Sequence, residues 1–390
     1  MSRRCRGYAL IVLLALVAVG ASAWTWVTAA TLDDGARERR TAAALAVARD
    51  ALVGRAAGDD TRPGSLPCPD VDNDGVADGP FGNCTAYLGR LPWRTLGLAE
   101  LRDGWHERLW YALSPAFRDN PAAGVLNSDT RGTLTVLDED GHVIADDAPA
   151  IVAAAGPALS GQLRGAGLAA TASMYLEGEN ANGDTRYVIG ASTTSFNDRV
   201  LVLKREELFR PVVARVAREA QAALDRYRAT NGVYPPANPF DLGAPDYPCS
   251  PATLRGRVPV ALRSGCSAYA EWNAELPDWF FDNAWHTLTL YAVAAACVDA
   301  APASRSACDA HAGSAPLGIA AIATNVRSLV IVSGPARGTQ QRPCTAAADC
   351  VDDAANVDGD RDYARPAAWP ASNDRLAARC SDATPCASLP

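Results

Sequence analysis

The sequence predicts an α+β protein: an N-terminal hydrophobic helix followed by two duplicated domains, each a helix packed on a small antiparallel sheet and braced by disulfides. Three observations carry this expectation. The run from Tyr8 to Leu32 contains no charged residue. The second half of the chain repeats the first in order: "RLPW" is echoed by "ELPDW", "DGWHERLWYALS" by "DNAWHTLTLYAVA", and "AIVAAAGPALSGQ" by "SLVIVSGPARGTQ". Of the eleven cysteines only Cys5 precedes the apolar run, and the others fall as close neighbours in sequence. The implied divisions are a basic leader over 1–7, a hydrophobic helix over 8–32, a first domain over 33–203 with an acidic loop, and a second domain over 204–390 with a Cys-rich end.

Taken in order, Arg3, Arg4 and Arg6 precede an apolar run long enough to span a bilayer, for which ~20 residues suffice as a helix. A cationic start keeps the N-terminus inside, which places everything from about Asp33 outside the cytoplasm, held by a single pass in the inner membrane. Two processing sites compete. Cleavage after Ala23, in the small-x-small stretch Ala21-Ser22-Ala23, frees a chain that begins at Trp24. Cleavage after Gly7 leaves a mature chain that begins at Tyr8 and keeps the hydrophobic helix.

The segment "ARERRTAAALAVARDALVGRA" predicts a helix with Ala44, Leu45, Ala48 and Leu52 on one face, stopped by Gly58 and Pro63. "TLTVLDEDGHVIAD" predicts a hairpin turning at Glu139-Asp140-Gly141, with Leu134, Val136, Val143 and Ala145 alternating around it. "PAIVAAAGPALSGQLR" reads as a buried strand. The second half opens on "EELFRPVVARVAREAQAALDRYRATNGVYPP", a helix with Leu208, Val212, Val216, Ala220, Leu224 and Tyr227 in one stripe. Asn231-Gly232 ends it, and Pro211 is expected in its first turn. The repeat period is too long for a solenoid, so two similar domains are expected.

"RCRG" followed by "YALIVLLALVAV" resembles the leader and hydrophobic N-terminal helix of type IV prepilins and type II secretion pseudopilins. "AALDRYRATNGVYPP" and "LVIVSGPARG" resemble the end of the family's helix and its late strand, and "LPCPDVDNDG" to "GRLPWRTLGL" looks like a group of bacterial prepilin-like proteins. The family usually carries Glu at the fifth mature position; Val12 stands there, a departure shared with some minor, tip-located subunits. The resemblance implies a minor pilin or pseudopilin-like component of a type IV pilus or type II secretion filament, at a tip or accessory position. Its partners would be other pilin or pseudopilin subunits and the inner membrane. The alternative is a soluble exported binding protein released by signal peptidase after Ala23.

A formal net charge of −8 without a basic stripe argues against nucleic acid as a partner. An even set of cysteines in an exported chain reads as disulfides, with local pairing expected: Cys68 with Cys84, Cys249 with Cys266, Cys297 with Cys308, Cys344 with Cys350, Cys380 with Cys386. Zinc is disfavoured, because the four histidines are scattered and no CxxC pair occurs.

The foremost ligand candidate is "DVDNDGVADG". Asp70, Asp72 and Asp74 alternate, Gly75 follows and Asp78 holds the ninth place, a spacing suited to the oxygens of a Ca2+ loop. The twelfth place is Phe81 rather than Glu, so the loop is closer to the shorter Asp-rich calcium loops of extracellular proteins. The alternative is a solvated acidic turn. Asp358, Asp360 and Asp362 repeat part of the spacing, and Glu177, Glu179 and Asp184 form a polar loop. His106 and His286 occupy matching places, and Ser333 at a strand end is matched by Ala155. Six tryptophans at corresponding places, among them Trp93, Trp105 and Trp285, read as core or interdomain packing. No nucleophile, base and oxyanion set assembles from these motifs, so the reading is non-enzymatic.

Overall fold

The computed structural model describes residues 33–164, 171–240, 253–260, 275–298, 301–311, 315–381 and 386. The leader, the run 8–32, both candidate cleavage sites (Gly7 with Tyr8, Ala23 with Trp24), Cys249 and Cys266 lie outside these residues.

The described chain opens with α1 over 33–58, whose Ala44, Leu45, Ala48, Leu52 and Ala56 repeat at helical spacing and are buried. Next come β1 (Leu88–Arg90), β2 (Trp110–Leu113), β3 (Leu134–Asp138), β4 (Val143–Ala148), β5 (Ala150–Ala154), β6 (Arg186–Ile189) and β7 (Arg199–Leu203). The second half contains α2 (Arg205–Asn231), β8 (Arg255–Arg257), α3 (Asp278–Asp282), β9 (Thr289–Val293), α4 (Pro302–His311), β10 (Leu317–Ile319), β11 (Ala323–Val332), α5 (Ala347–Cys350), β12 (Asp362–Tyr363) and β13 (Arg375–Cys380). Gly232 closes α2 at φ 76°, the left-handed conformation that a side chain disfavours.

Strands β1, β2, β5 and β7 form one antiparallel sheet in that order. Its inner strands, β2 and β5, are buried on both faces. Tyr111, Leu113, Val152, Ala154 and Leu203 meet α1 in the main core, while Trp110, Ala112, Ile151 and Ala153 meet a second sheet of order β4-β3-β6. In the second half, β8-β9-β11-β13 follow the same antiparallel order, and β10 and β12 extend the sheet alongside the first part of β11.

The register repeats as well as the order. Gly89 faces Tyr111, which faces Val152; Gly256 faces Tyr291, which faces Val330. The Tyr111 hydroxyl donates to the Pro67 carbonyl at 3.1 Å, and the Tyr291 hydroxyl to that of Pro235 at 2.8 Å. Each of these glycines lies against backbone: a Cβ would stand 2.6 Å from the Asp70 carbonyl oxygen at Gly89, and 1.9 Å from that of Asn238 at Gly256.

The two halves share one apolar core. The Phe209 ring of α2 packs against Phe117 of the first half at 6.0 Å and Trp285 of the second at 6.2 Å. The Asn283 side chain accepts the Leu126 amide, and Ser128 donates to the Ser333 carbonyl, so polar groups cross the same seam.

These observations correct the α+β expectation. The protein is a mixed α/β structure, mostly sheet, with disulfides, and no long apolar helix heads the described residues. Pilin-like domains of one helix on one antiparallel sheet leave out β3-β4-β6 and β10-β12, where β6 joins β3, and β12 joins β10, in parallel. Those pairs link distant polar loops, which apolar alternation does not reveal. The single-pass inner-membrane expectation is also overturned, since no helix among the described residues is long and apolar enough to cross a membrane. Pro211 sits in the second turn of α2, not the first, because the helix starts at Arg205.

Among the described residues, four disulfides join Cys68 to Cys84, Cys297 to Cys308, Cys344 to Cys350, and Cys380 to Cys386.

Gly256→Ala is expected to lower stability by roughly 2 kcal/mol or more, since a backbone oxygen cannot swing aside as a side chain does. Urea denaturation of the purified variant measures the loss; unchanged stability would contradict the close approach.

Candidate functional site

In the acidic loop, the sharp turn is built by carboxylates that accept backbone N–H groups. Asp70 is buried and accepts from Asn73, Asp74 and Gly75, and Asp78 accepts from Val71 and Asp72. Carboxylate oxygens of Asp70, Asp72 and Asp78 converge within 4.8 Å of one another, an oxygen set suited to a hard cation. Asp74 is not brought into the group; its carboxylate accepts the Val76 amide instead. Burial, with the neighbouring charges of Asp74 and Asp72, pushes the Asp70 carboxyl up. The Cys68–Cys84 bridge and the Trp93 ring against Gly75 brace the loop.

Among the other candidates, Asp358 accepts the Asp360 amide and Asp360 accepts the Asp362 amide, in successive turns. Asp138, Asp140 and His142 converge at the exposed β3–β4 hairpin tip, a cluster the sequence reading did not single out. Ser333 is fully buried, with its amide donated to the Leu288 carbonyl, and nothing places its hydroxyl beside a base.

A polar knot that sequence reasoning missed occurs twice. In the first half, Asp198 Oδ2 accepts the Glu177 amide and the Asn180 side chain, while Glu177 accepts the Asn197 amide and Gln162. Arg164 donates to the Gly156 and Tyr175 carbonyls, and Asn197 to that of Pro157. In the second half, Asp374 Oδ2 accepts the Asp352 amide, and Asp352 accepts the Asn373 amide and Gln340. Arg342 donates to the Gly334 and Cys350 carbonyls, and Asn373 to that of Pro335. The signal was present as Asn-Asp-Arg at 197–199 and again at 373–375.

Burial and the facing Glu177 push the Asp198 carboxyl up to about 8; burial and the charge of Asp352 push Asp374 to about 7. Two acids lie close together in each knot, and one retained proton removes the repulsion between them.

On the second half, a cleft of about 640 Å³ opens between the 365–369 loop and the start of β13, lined by Arg365, Pro366, Trp369, Asp374 and Arg375.

No family model matches this chain, and neither a curated protein nor a solved structure matches it.

The knots set a pH dependence. A carboxyl whose folded value lies above its unfolded one near 4 binds its proton more tightly in the folded state. Its contribution to stability is complete below pH 4 and is lost as pH rises through 7 to 8. Asp198→Asn keeps the shape of the protonated acid and cannot ionise, so the variant is expected to gain about 1–3 kcal/mol over the parent at pH 8.5 and far less at pH 5. Chemical denaturation at both pH values reads the difference; an equal change at both would remove the retained proton from the account.

Proposed function

We propose that the chain acts by assembly, as a minor pilin- or pseudopilin-type component of a type IV pilus or type II secretion filament, at a tip or accessory position. One observation supports the reading most: the antiparallel order and register of β1-β2-β5-β7 recur as β8-β9-β11-β13 within the larger sheet of the second half. A head of two such units is bulky for a packed shaft, which favours an end position. The disulfides suit an oxidising compartment. In this proposal Asp70, Asp72 and Asp78 hold Ca2+, which would relieve the crowding of three carboxylates. A second reading, release after Ala23 as an exported binding protein, is favoured by the open cleft beside Trp369.

Mass spectrometry of the mature N-terminus decides between them. A start at Tyr8 is expected, with co-purification of pilin-type subunits after cross-linking; a start at Trp24 would sink the filament reading.

Millimolar Ca2+ is expected to raise stability by about 1–3 kcal/mol over the EDTA-treated chain, with the gain lost in Asp72→Asn and Asp78→Asn. A melting temperature indifferent to both calcium and chelator would leave the loop a plain acidic turn.

A further inference from the structure

The two Asn-Asp-Arg segments end differently. In the first half, Arg199 at the start of β7 pairs with Glu38 of α1, through Nε at 3.3 Å and Nη2 at 3.2 Å. In the second half, Arg375 holds the matching place at the start of β13: it faces Val332 of β11 as Arg199 faces Ala154 of β5. Among the described residues no carboxylate forms an ion pair with Arg375, whose Nη1 donates instead to the Asp374 backbone carbonyl. The neighbouring charge from α2 is another cation, Arg210; burial and that like charge, partly offset by the attraction of Asp374, hold the Arg375 guanidinium below its usual basicity.

The surroundings continue the pattern. Arg365 lines the same cleft, is exposed, and likewise has no carboxylate partner among the described residues. Asp374 lies on the floor, but its Oδ2 accepts the Asp352 amide, which commits it to the knot. Trp369 lines the cleft with 38% of its surface exposed, in a loop pinned by Arg337, whose guanidinium donates to the Pro370 and Ala371 carbonyls. A flat aromatic wall and fork-shaped cations on a fixed loop are the features that hold a carboxylate-bearing chain with apolar stems.

We propose that this cleft docks an acidic peptide segment of a partner protein, whose carboxylate takes beside Arg375 the place that Glu38 takes beside Arg199. The fold thus uses one arginine position twice, internally in the first half and outwardly in the second. A protein carboxylate is favoured over other anions because the matched position is filled by a glutamate side chain projecting from a helix.

The test is fluorescence anisotropy with the purified full chain, disulfides intact, and a short labelled peptide of alternating Glu and Leu. The Gln-Leu version and an oligogalacturonate serve as comparisons. The Glu peptide is expected to bind, with a loss of about tenfold or more for the Gln peptide and for each of Arg375→Gln, Arg365→Gln and Trp369→Ala. Arg365 and Trp369 are exposed, so their variants test the cleft without disturbing the core. Arg210→Glu should supply the missing internal carboxylate and also weaken the peptide about tenfold, while Arg186→Gln on β6 should change nothing. Equal affinity for the Glu and Gln peptides, indifference to Arg365→Gln, preference for the oligogalacturonate, or no binding at millimolar peptide would each overturn the proposal.

Discussion

A carboxyl group taken out of water needs donors or a proton, and that requirement organises both halves of this chain. Asp198 and Asp374 sit at the entry to the last strand of each antiparallel sheet, and each faces a second acid. Satisfying them draws in segments distant in sequence: the turn after β5, the loop bearing Glu177 and Asn180, and the approach to β7. The same bonds, shifted along the chain, tie the turn after β11 to Asp352 and the approach to β13. Buried polar networks of this kind fix one arrangement of loops, since any alternative leaves polar groups unpaired.

Around these knots the apolar parts are freer. Trp110 of the first half, stacked under the Arg90 guanidinium at 3.9 Å, corresponds in register to Leu290 of the second, and Ala154 corresponds to Val332. Core volume can be redistributed among neighbours while patterning is kept. A hydrogen-bonded carboxyl pair has no such latitude. The halves therefore agree most closely in their polar groups and differ in what packs beside them. The shared core adds a further demand, because α2 must serve the sheet of the second half while its Phe209 also fills the seam with the first.

The legible parts of this structure were those with a period. The α2 stripe of Leu208, Val212, Val216, Ala220, Leu224 and Tyr227 is buried, and the β3–β4 turn falls between Asp138 and His142. The aligned Tyr111 and Tyr291 could be found from the echoed strands. The parallel pairs β3–β6 and β10–β12 had no comparable signal: β12 is two residues long, and its register is set by Asn356 accepting the Ala364 amide, much as Asn180 accepts that of Val188 beside β6. In the acidic loop, the fold gathers the carboxylates of Asp70, Asp72 and Asp78 and turns that of Asp74 to the Val76 amide, since alternation along the chain does not tell which carboxylate a nearby backbone amide will claim. The Asn-Asp-Arg repeat was visible as letters, yet only the fold shows that Arg199 pairs with Glu38 whereas Arg375 lies beside Arg210 and Asp374.

The placement of the disulfides has a mechanical consequence. The four bridges described close loops with sequence separations of 16, 11, 6 and 6, and none of them joins one half to the other. Tension applied at α1 and resisted at β13 is therefore not borne by these four bridges. It passes along β7 into α2 and through the Phe117, Phe209 and Trp285 contacts, a path of hydrogen bonds and packed rings that can yield and re-form. Locally the molecule is riveted; between its halves it is a reversible joint.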